Sequence, residues 1–153
     1  MCGLLWFGDK KHFTIPEEKK FDYDKIVDFC TRTGFAMYDT ACEVRRLKDN
    51  ASDKFLEVVT PTDIPALLKQ IPLCRAIVTT GQKATDVLSE TYGCEKPQVG
   101  GSVKIKIPVE GDGRVEERVY DFYRMPSTSR AYPLSLEKKA EAYRRVFEEN
   151  GML

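Results

Sequence analysis

The chain has 153 residues, enough for one compact domain with a real core and too few to expect two. Its 24 lysines plus arginines balance 24 aspartates plus glutamates, which excludes a global positive field drawing it onto nucleic acid or an anionic membrane. Any polyanion binding must come from a local patch. No apolar run reaches membrane-spanning length, and Leu4-Leu5-Trp6-Phe7 is too short and wrongly flanked for a secretory signal, so a cytoplasmic protein is expected. Cys2, Cys30, Cys42, Cys74 and Cys94 are scattered without a Cys-x-x-Cys pair, and His12 is the only histidine. That pattern argues against a zinc site, an iron–sulfur cluster and a disulfide framework, and for reduced, mostly buried thiols; no metal or cofactor is expected.

The first residues read as the last turns of a helix, broken at Gly8-Asp9-Lys10-Lys11. His12 could be a base, but a lone histidine in a polar segment is more often a solvated loop residue. Ile26, Phe29 and Cys30 fall at helical spacing from a cap at Asp24, and Gly34 closes that helix. Phe35-Ala36-Met37-Tyr38 reads as a short buried strand ended by Asp39-Thr40. An ionisable residue at a strand's carboxyl end suits a site, with a turn role as the ordinary alternative. Residues 43 to 54 form a polar, partly basic excursion, either a solvated loop or a binding loop.

Thr60-Pro61-Thr62-Asp63 signals a helix start, with Thr62 as cap and Pro65 in the first turn, and Ile64, Leu67, Leu68 and Ile71 make its apolar stripe. Ala76-Ile77-Val78-Thr79-Thr80 is a β-branched strand that runs through Gly81 into a helix carrying Ala84, Val87, Leu88 and Tyr92. Thr80-Gly81-Gln82-Lys83 could cradle a phosphate, although it lacks the glycines of a P-loop, and close helix–strand packing explains Gly81 as well. Val103, Ile105, Ile107 and Val109 alternate with polar residues as one limb of a hairpin turned at Gly111-Asp112-Gly113. The return limb, Val115 to Met125, delivers the loop Pro126-Ser127-Thr128-Ser129-Arg130, and a last helix starts near Ser135 and ends at Gly151. That helix carries Leu136, Ala140, Tyr143 and Phe147 on one face, with Lys138, Lys139, Arg144 and Arg145 nearer solvent. The alternation predicts a single α/β domain over 1–153: a three-layer α/β/α sandwich with a short, mainly parallel central sheet and a hairpin before the last parallel strand. A hydroxyl-rich loop between such a strand and helix suits an anion such as phosphate, and an ordinary polar connector capped by Ser135 is the bland alternative.

Met125-Pro126-Ser127-Thr128-Ser129, followed by Ser135-Leu136-Glu137-Lys138-Lys139, resembles the second motif and following helix of the uracil-DNA glycosylase superfamily. The branch it most resembles is the DNA-deoxyinosine (hypoxanthine) glycosylase-like one. Ala36-Met37-Tyr38-Asp39-Thr40, Asn50-Ala51-Ser52-Asp53 and Ala76-Ile77-Val78-Thr79-Thr80-Gly81 support the resemblance, which runs from about Gly3 to the carboxyl end. It implies a monomeric, metal-free enzyme of base-excision repair that flips a deaminated base, hypoxanthine or uracil, out of double-stranded DNA and hydrolyses its N-glycosidic bond. Residue by residue, it implies phosphate contacts from Ser127 and Ser52, minor-groove proximity for Thr128 and Ser129, and a gap-filling or phosphate-pairing Arg130. Tyr38 and Asp39 would face the base.

Three departures bear on what is implied. Asp39 stands where the uracil enzymes keep an asparagine; a carboxylate only accepts hydrogen bonds, which suits the lactam N–H of hypoxanthine or xanthine and loses a donor to uracil. Met125 occupies the position of a leaving-group-stabilising histidine or asparagine. The superfamily's first motif, with its water-positioning residue, has no counterpart, so the chain is expected to be amino-terminally truncated and to lack a central strand between those at 35–41 and 75–81. The alternatives are a catalytically inactive DNA-binding or remnant domain of the same fold, and an unrelated α/β domain that takes a small phosphorylated ligand at the same loops.

Overall fold

A computed structural model describes residues 1–47, 56–111 and 113–153. In chain order the elements are α1 (Cys2–Phe7), β1 (Thr14–Ile15), a 3-10 turn (Pro16–Glu18), β2 (Lys20–Phe21), α2 (Tyr23–Thr33), β3 (Ala41–Arg46), β4 (Leu56–Pro61), α3 (Ile64–Gln70), β5 (Ala76–Thr80), α4 (Gln82–Tyr92), β6 (Ser102–Gly111), β7 (Arg114–Met125) and α5 (Leu136–Glu149). The chain forms two compact units, one made of Met1–Tyr38 with Arg130–Leu153 and the other of Asp39–Ser129.

In the first unit, aromatic packing does most of the work. Trp6 of α1 meets Phe29 of α2 edge-on at 5.1 Å and Phe147 of α5 at 4.9 Å, and Phe35 lies 5.6 Å from Phe147. Such ring pairs each contribute about 0.5–1.5 kcal/mol beyond the area they bury. His12 is not a free loop residue, because its ring stacks on Phe7 at 3.7 Å. Helix α2 is capped by Asp22, two places ahead of the expected Asp24, with the Asp22 carboxylate accepting from the Lys25 amide at 3.1 Å. Ser135 caps α5 as its sequence suggests, accepting from the Lys138 amide at 3.2 Å. Lys139 departs from the expected solvent face. It is only 5% exposed, with its ammonium 5.5 Å from the centre of the Tyr132 ring, a cation–π placement that shelters the long alkyl stem. The Tyr143 phenol, one turn further along the same buried face of α5, has its pKa driven well above the usual tyrosine value by burial.

In the second unit β7 is the central strand of a three-stranded sheet ordered β5-β7-β6. It pairs parallel with β5 and antiparallel with β6, so the sheet is mixed and not mainly parallel. The reason is local: Gly113, at φ 77, lies in the tight turn that returns β6 directly into β7, and a tight turn can only join antiparallel neighbours. Ile105, Ile107 and Val109 of β6 alternate inward and, with Tyr120 and Phe122 of β7, pack on Leu68 of α3 and Leu88 of α4. The opposite face of the hairpin is charged, with Lys104 bonded to Asp121 at 2.6 Å and Lys106 to Glu117 at 3.0 Å.

The strand expected at 35–38 is absent. Those residues are irregular backbone, with Met37 60% and Tyr38 69% exposed, and among the described residues no strand pairs with them to satisfy a strand's amides. The strand of this region comes later, as β3, paired antiparallel with β4 and joined by an Arg45–Glu57 ion pair at 3.3 Å and a Thr60 hydroxyl donating to Glu43 at 3.0 Å. The polar excursion is therefore partly strand, and its stretch from 48 to 55 lies outside the described residues. Helix α3 is capped by Asp63, not Thr62: the Asp63 carboxylate accepts from the Ala66 amide at 3.0 Å. Thr62 instead buries its hydroxyl and donates to the Asp39 carbonyl at 2.7 Å. All five cysteines are free thiols; Cys42 is exposed and the others half-buried, so the thiols are less deeply buried than expected.

Candidate nucleic-acid interface

Strands β5 and β7 run parallel in register from Ala76↔Asp121 to Thr80↔Met125, so their carboxyl ends and the two following loops emerge side by side. In open α/β sheets this is where ligands bind. Gly81 joins β5 to α4 with φ 96 and ψ −179, a conformation that essentially only glycine adopts. Its amide donates to the Met125 carbonyl at 3.0 Å, tying the two loops together at their roots. A side chain at Gly81 would begin 3.2 Å from Cβ of Ser127 and 3.6 Å from its hydroxyl oxygen, so the Pro126-Ser127 loop rests on the bare Gly81 backbone. Ser127 in turn accepts from the Ser129 amide at 3.2 Å, which curls the loop back on itself.

Beneath Gly81 lies a buried hydroxyl relay. The Thr85 and Thr79 hydroxyls lie 2.9 Å apart, with the Gly81 carbonyl 2.8 Å from the first and the Tyr123 carbonyl 3.2 Å from the second, and their two protons serve two of these three contacts at a time. These bonds lock the turn to β7 from inside. Helix α4 has no side-chain cap at its amino end, leaving its first-turn amides without an oxygen from Gly81. On its flank Arg124 of β7 reaches the Pro97 carbonyl at 3.3 Å and Oε1 of Gln82. The Gln82 amide nitrogen donates to Asp86 at 2.8 Å, and Lys96 completes the chain with contacts of 2.9 Å to Asp86 and 3.3 Å to Glu90. The hydrogen bond to Asp86, with that to Glu90 second, pushes the Lys96 pKa up.

The sequence-expected residues divide clearly. Ser127 is half-buried against Gly81, and Thr128 and Ser129 are exposed in the same loop. Arg130 is exposed and belongs to the other unit, as does the exposed Tyr38. Asp39 is exposed and is held through its backbone carbonyl by Thr62. Ser52, with Asn50, Ala51 and Asp53, lies outside the described residues. Met125 is 1% exposed and pairs with Thr80 in the β5–β7 ladder, so its side chain fills space inside the unit. The sequence alone assigns no role to Arg124, Thr79 or Thr85. The signal for Arg124 was present as a lone basic residue among Phe122, Tyr123 and Met125.

Among the described residues no cluster of three or more histidine, cysteine, aspartate or glutamate side chains could hold a metal, and no helix is long and apolar enough to cross a membrane. No protein-family model, curated protein or solved structure matches the chain.

Proposed function

We propose that the loops at Gly81 and Ser127 grip a DNA phosphodiester backbone, and that the chain is a single three-layer α/β/α domain of the uracil-DNA glycosylase kind. It would act as a monomer on double-stranded DNA, without metal or cofactor. The observation that carries the reading is the seating of Ser127 on Gly81 at the carboxyl ends of two adjacent parallel strands. A hydroxyl, exposed loop amides and an uncapped helix start can hold phosphate without a basic composition, which accords with the balanced charge of the chain.

In this reading Ser127 donates to a phosphate oxygen, Thr128 and Ser129 follow the backbone toward the minor groove, and Arg130 pairs with phosphate or fills the gap left by a flipped nucleotide. Ser52 supplies a second backbone contact. Tyr38 and Asp39 face the extruded base, and the acceptor-only carboxylate of Asp39 favours the lactam N–H of a deaminated purine over uracil. The residue that activates water is not assigned. A thioether at Met125, buried to 1% exposure, offers a departing base no hydrogen-bond donor, which favours a binding-only domain of the same fold as the second reading.

Incubation with duplexes carrying hypoxanthine, xanthine or uracil, followed by alkaline cleavage at abasic sites, separates the two. Release of hypoxanthine faster than uracil supports the glycosylase. Tight duplex binding with no abasic product supports the binding domain. In either case Ser127→Ala is expected to weaken duplex binding about tenfold through one lost hydrogen bond to a charged group. Absence of duplex binding by the wild-type chain would remove both readings.

A further inference from the structure

Among the described residues, Arg124 is a cation with no carboxylate to answer it. Its Nη atoms donate to two neutral oxygens, the Pro97 carbonyl and Oε1 of Gln82. Its Nε–H is buried and, among the described residues, meets no acceptor. Three other basic residues on the same hairpin are paired: Lys104 with Asp121, Lys106 with Glu117, and Arg118 with Glu116 at 3.9 Å. The carboxylate that could have answered Arg124 is kept away. Asp86 is taken by Lys96 and by the amide nitrogen of Gln82, so Gln82 turns its NH2 to Asp86 and its oxygen to Arg124 and stands between the two charges. A half-buried guanidinium loses hydration, and neutral acceptors restore only part of it. Two of its five N–H donors are used on these oxygens, and a guanidinium so placed is set to take an anion at its outer Nη–H groups.

We infer that Arg124 is the cationic subsite of the phosphodiester grip, contacting a backbone phosphate of DNA beside the Gly81–Ser127 contact. The inference rests on the DNA-binding reading above and adds to it a charged contact that the Pro-Ser loop does not supply. Guanidinium suits this role because its planar fork can give two parallel hydrogen bonds to phosphate oxygens. Gln82 is then a positioning residue that orients the fork and insulates it from Asp86.

The test is duplex binding measured across a potassium chloride series, with thermal midpoints recorded for every variant. The probe is a short duplex carrying one hypoxanthine. Arg124→Gln is expected to weaken binding about tenfold and to reduce the slope of log affinity against log salt by about 0.9, the value for one lost phosphate contact. Gln82→Glu places a carboxylate against Arg124 at a helix start where acids are welcome, but it also replaces the NH2 that donates to Asp86 with a like charge. The two effects oppose each other, so a thermal midpoint near that of the wild type is expected, with affinity and salt slope lowered in the same way. Inorganic phosphate added at constant ionic strength should leave the duplex bound; its displacement of the duplex would assign Arg124 to a small free anion and overturn the inference. If the wild type binds and both variants keep its salt slope, Arg124 is structural and the inference fails alone. If the wild type does not bind the duplex, the underlying reading fails and takes this one with it.

Discussion

Replacing Gly81 with alanine tests the geometry on which the site rests. The residue sits at φ 96 and ψ −179, where a β-carbon clashes with its own backbone, and holding a non-glycine residue there costs about 1–3 kcal/mol. The new methyl would also lie 3.2 Å from Cβ of Ser127, inside ordinary carbon–carbon contact, so the Ser127 loop must give by a few tenths of an ångström. Opposing these, alanine narrows the unfolded ensemble and returns about 0.4–1 kcal/mol. The expected net loss is about 2 kcal/mol, read as a lower urea midpoint with unchanged slope in far-ultraviolet circular dichroism. The two causes separate in a double-mutant cycle. Ser127→Gly removes the Cβ contact, leaving only the Ser127 Cα position at 3.7 Å, and should recover about 0.5–1 kcal/mol of the loss while the backbone strain persists. A Gly81→Ala protein within about 0.5 kcal/mol of wild type would refute the strained-turn reasoning. A full loss with no coupling to Ser127 would refute the loop contact while leaving the strain in place.

Three further outcomes are expected. Thr85→Val, nearly isosteric in a fully buried position, strips the Gly81 carbonyl and the Thr79 hydroxyl of a partner and should cost about 1–3 kcal/mol in the same unfolding assay. Burial, with Cys2 nearby as a lesser cause, holds the Tyr143 hydroxyl neutral far above the usual tyrosine range, while the unfolded chain ionises it near pH ~10. Its raised folded pKa means that the stability it contributes is intact below that pH and is lost as pH climbs further; Tyr143→Phe should flatten the alkaline decline by up to about 1.4 kcal/mol per pH unit. Among the thiols, Cys42 is exposed, whereas burial pushes the Cys2, Cys30 and Cys74 pKa values up. Brief iodoacetamide treatment near neutral pH followed by peptide mass mapping should therefore find Cys42 alkylated first, and earlier labelling of Cys2 or Cys74 would contradict the described burial.

What the sequence determined by itself is the local part of the fold. The β-branched run at 76–80, the alternation from Val103 to Val109, the glycine turn before Arg114 and the Ser135 cap each carry their structure in near-neighbour chemistry, and each element is present where that chemistry puts it. Tertiary structure decided the rest. Phe35 to Tyr38 has a strand's composition but no neighbouring strand among the described residues, and a strand without a partner leaves its amides unsatisfied. Asp63 displaced Thr62 as a cap because the Asp39 carbonyl, 23 residues earlier, claimed the threonine hydroxyl. Lys139 is buried through its placement on Tyr132, which helical periodicity alone assigned to solvent. The candidate site divides in the same way. The Pro126-Ser127 loop is legible as a motif, but its seat on Gly81 joins residues 46 positions apart through a parallel pairing that no local pattern encodes. Arg124 becomes conspicuous only once its neighbours are known, because a missing counter-charge is a property of the packed molecule and not of the residue.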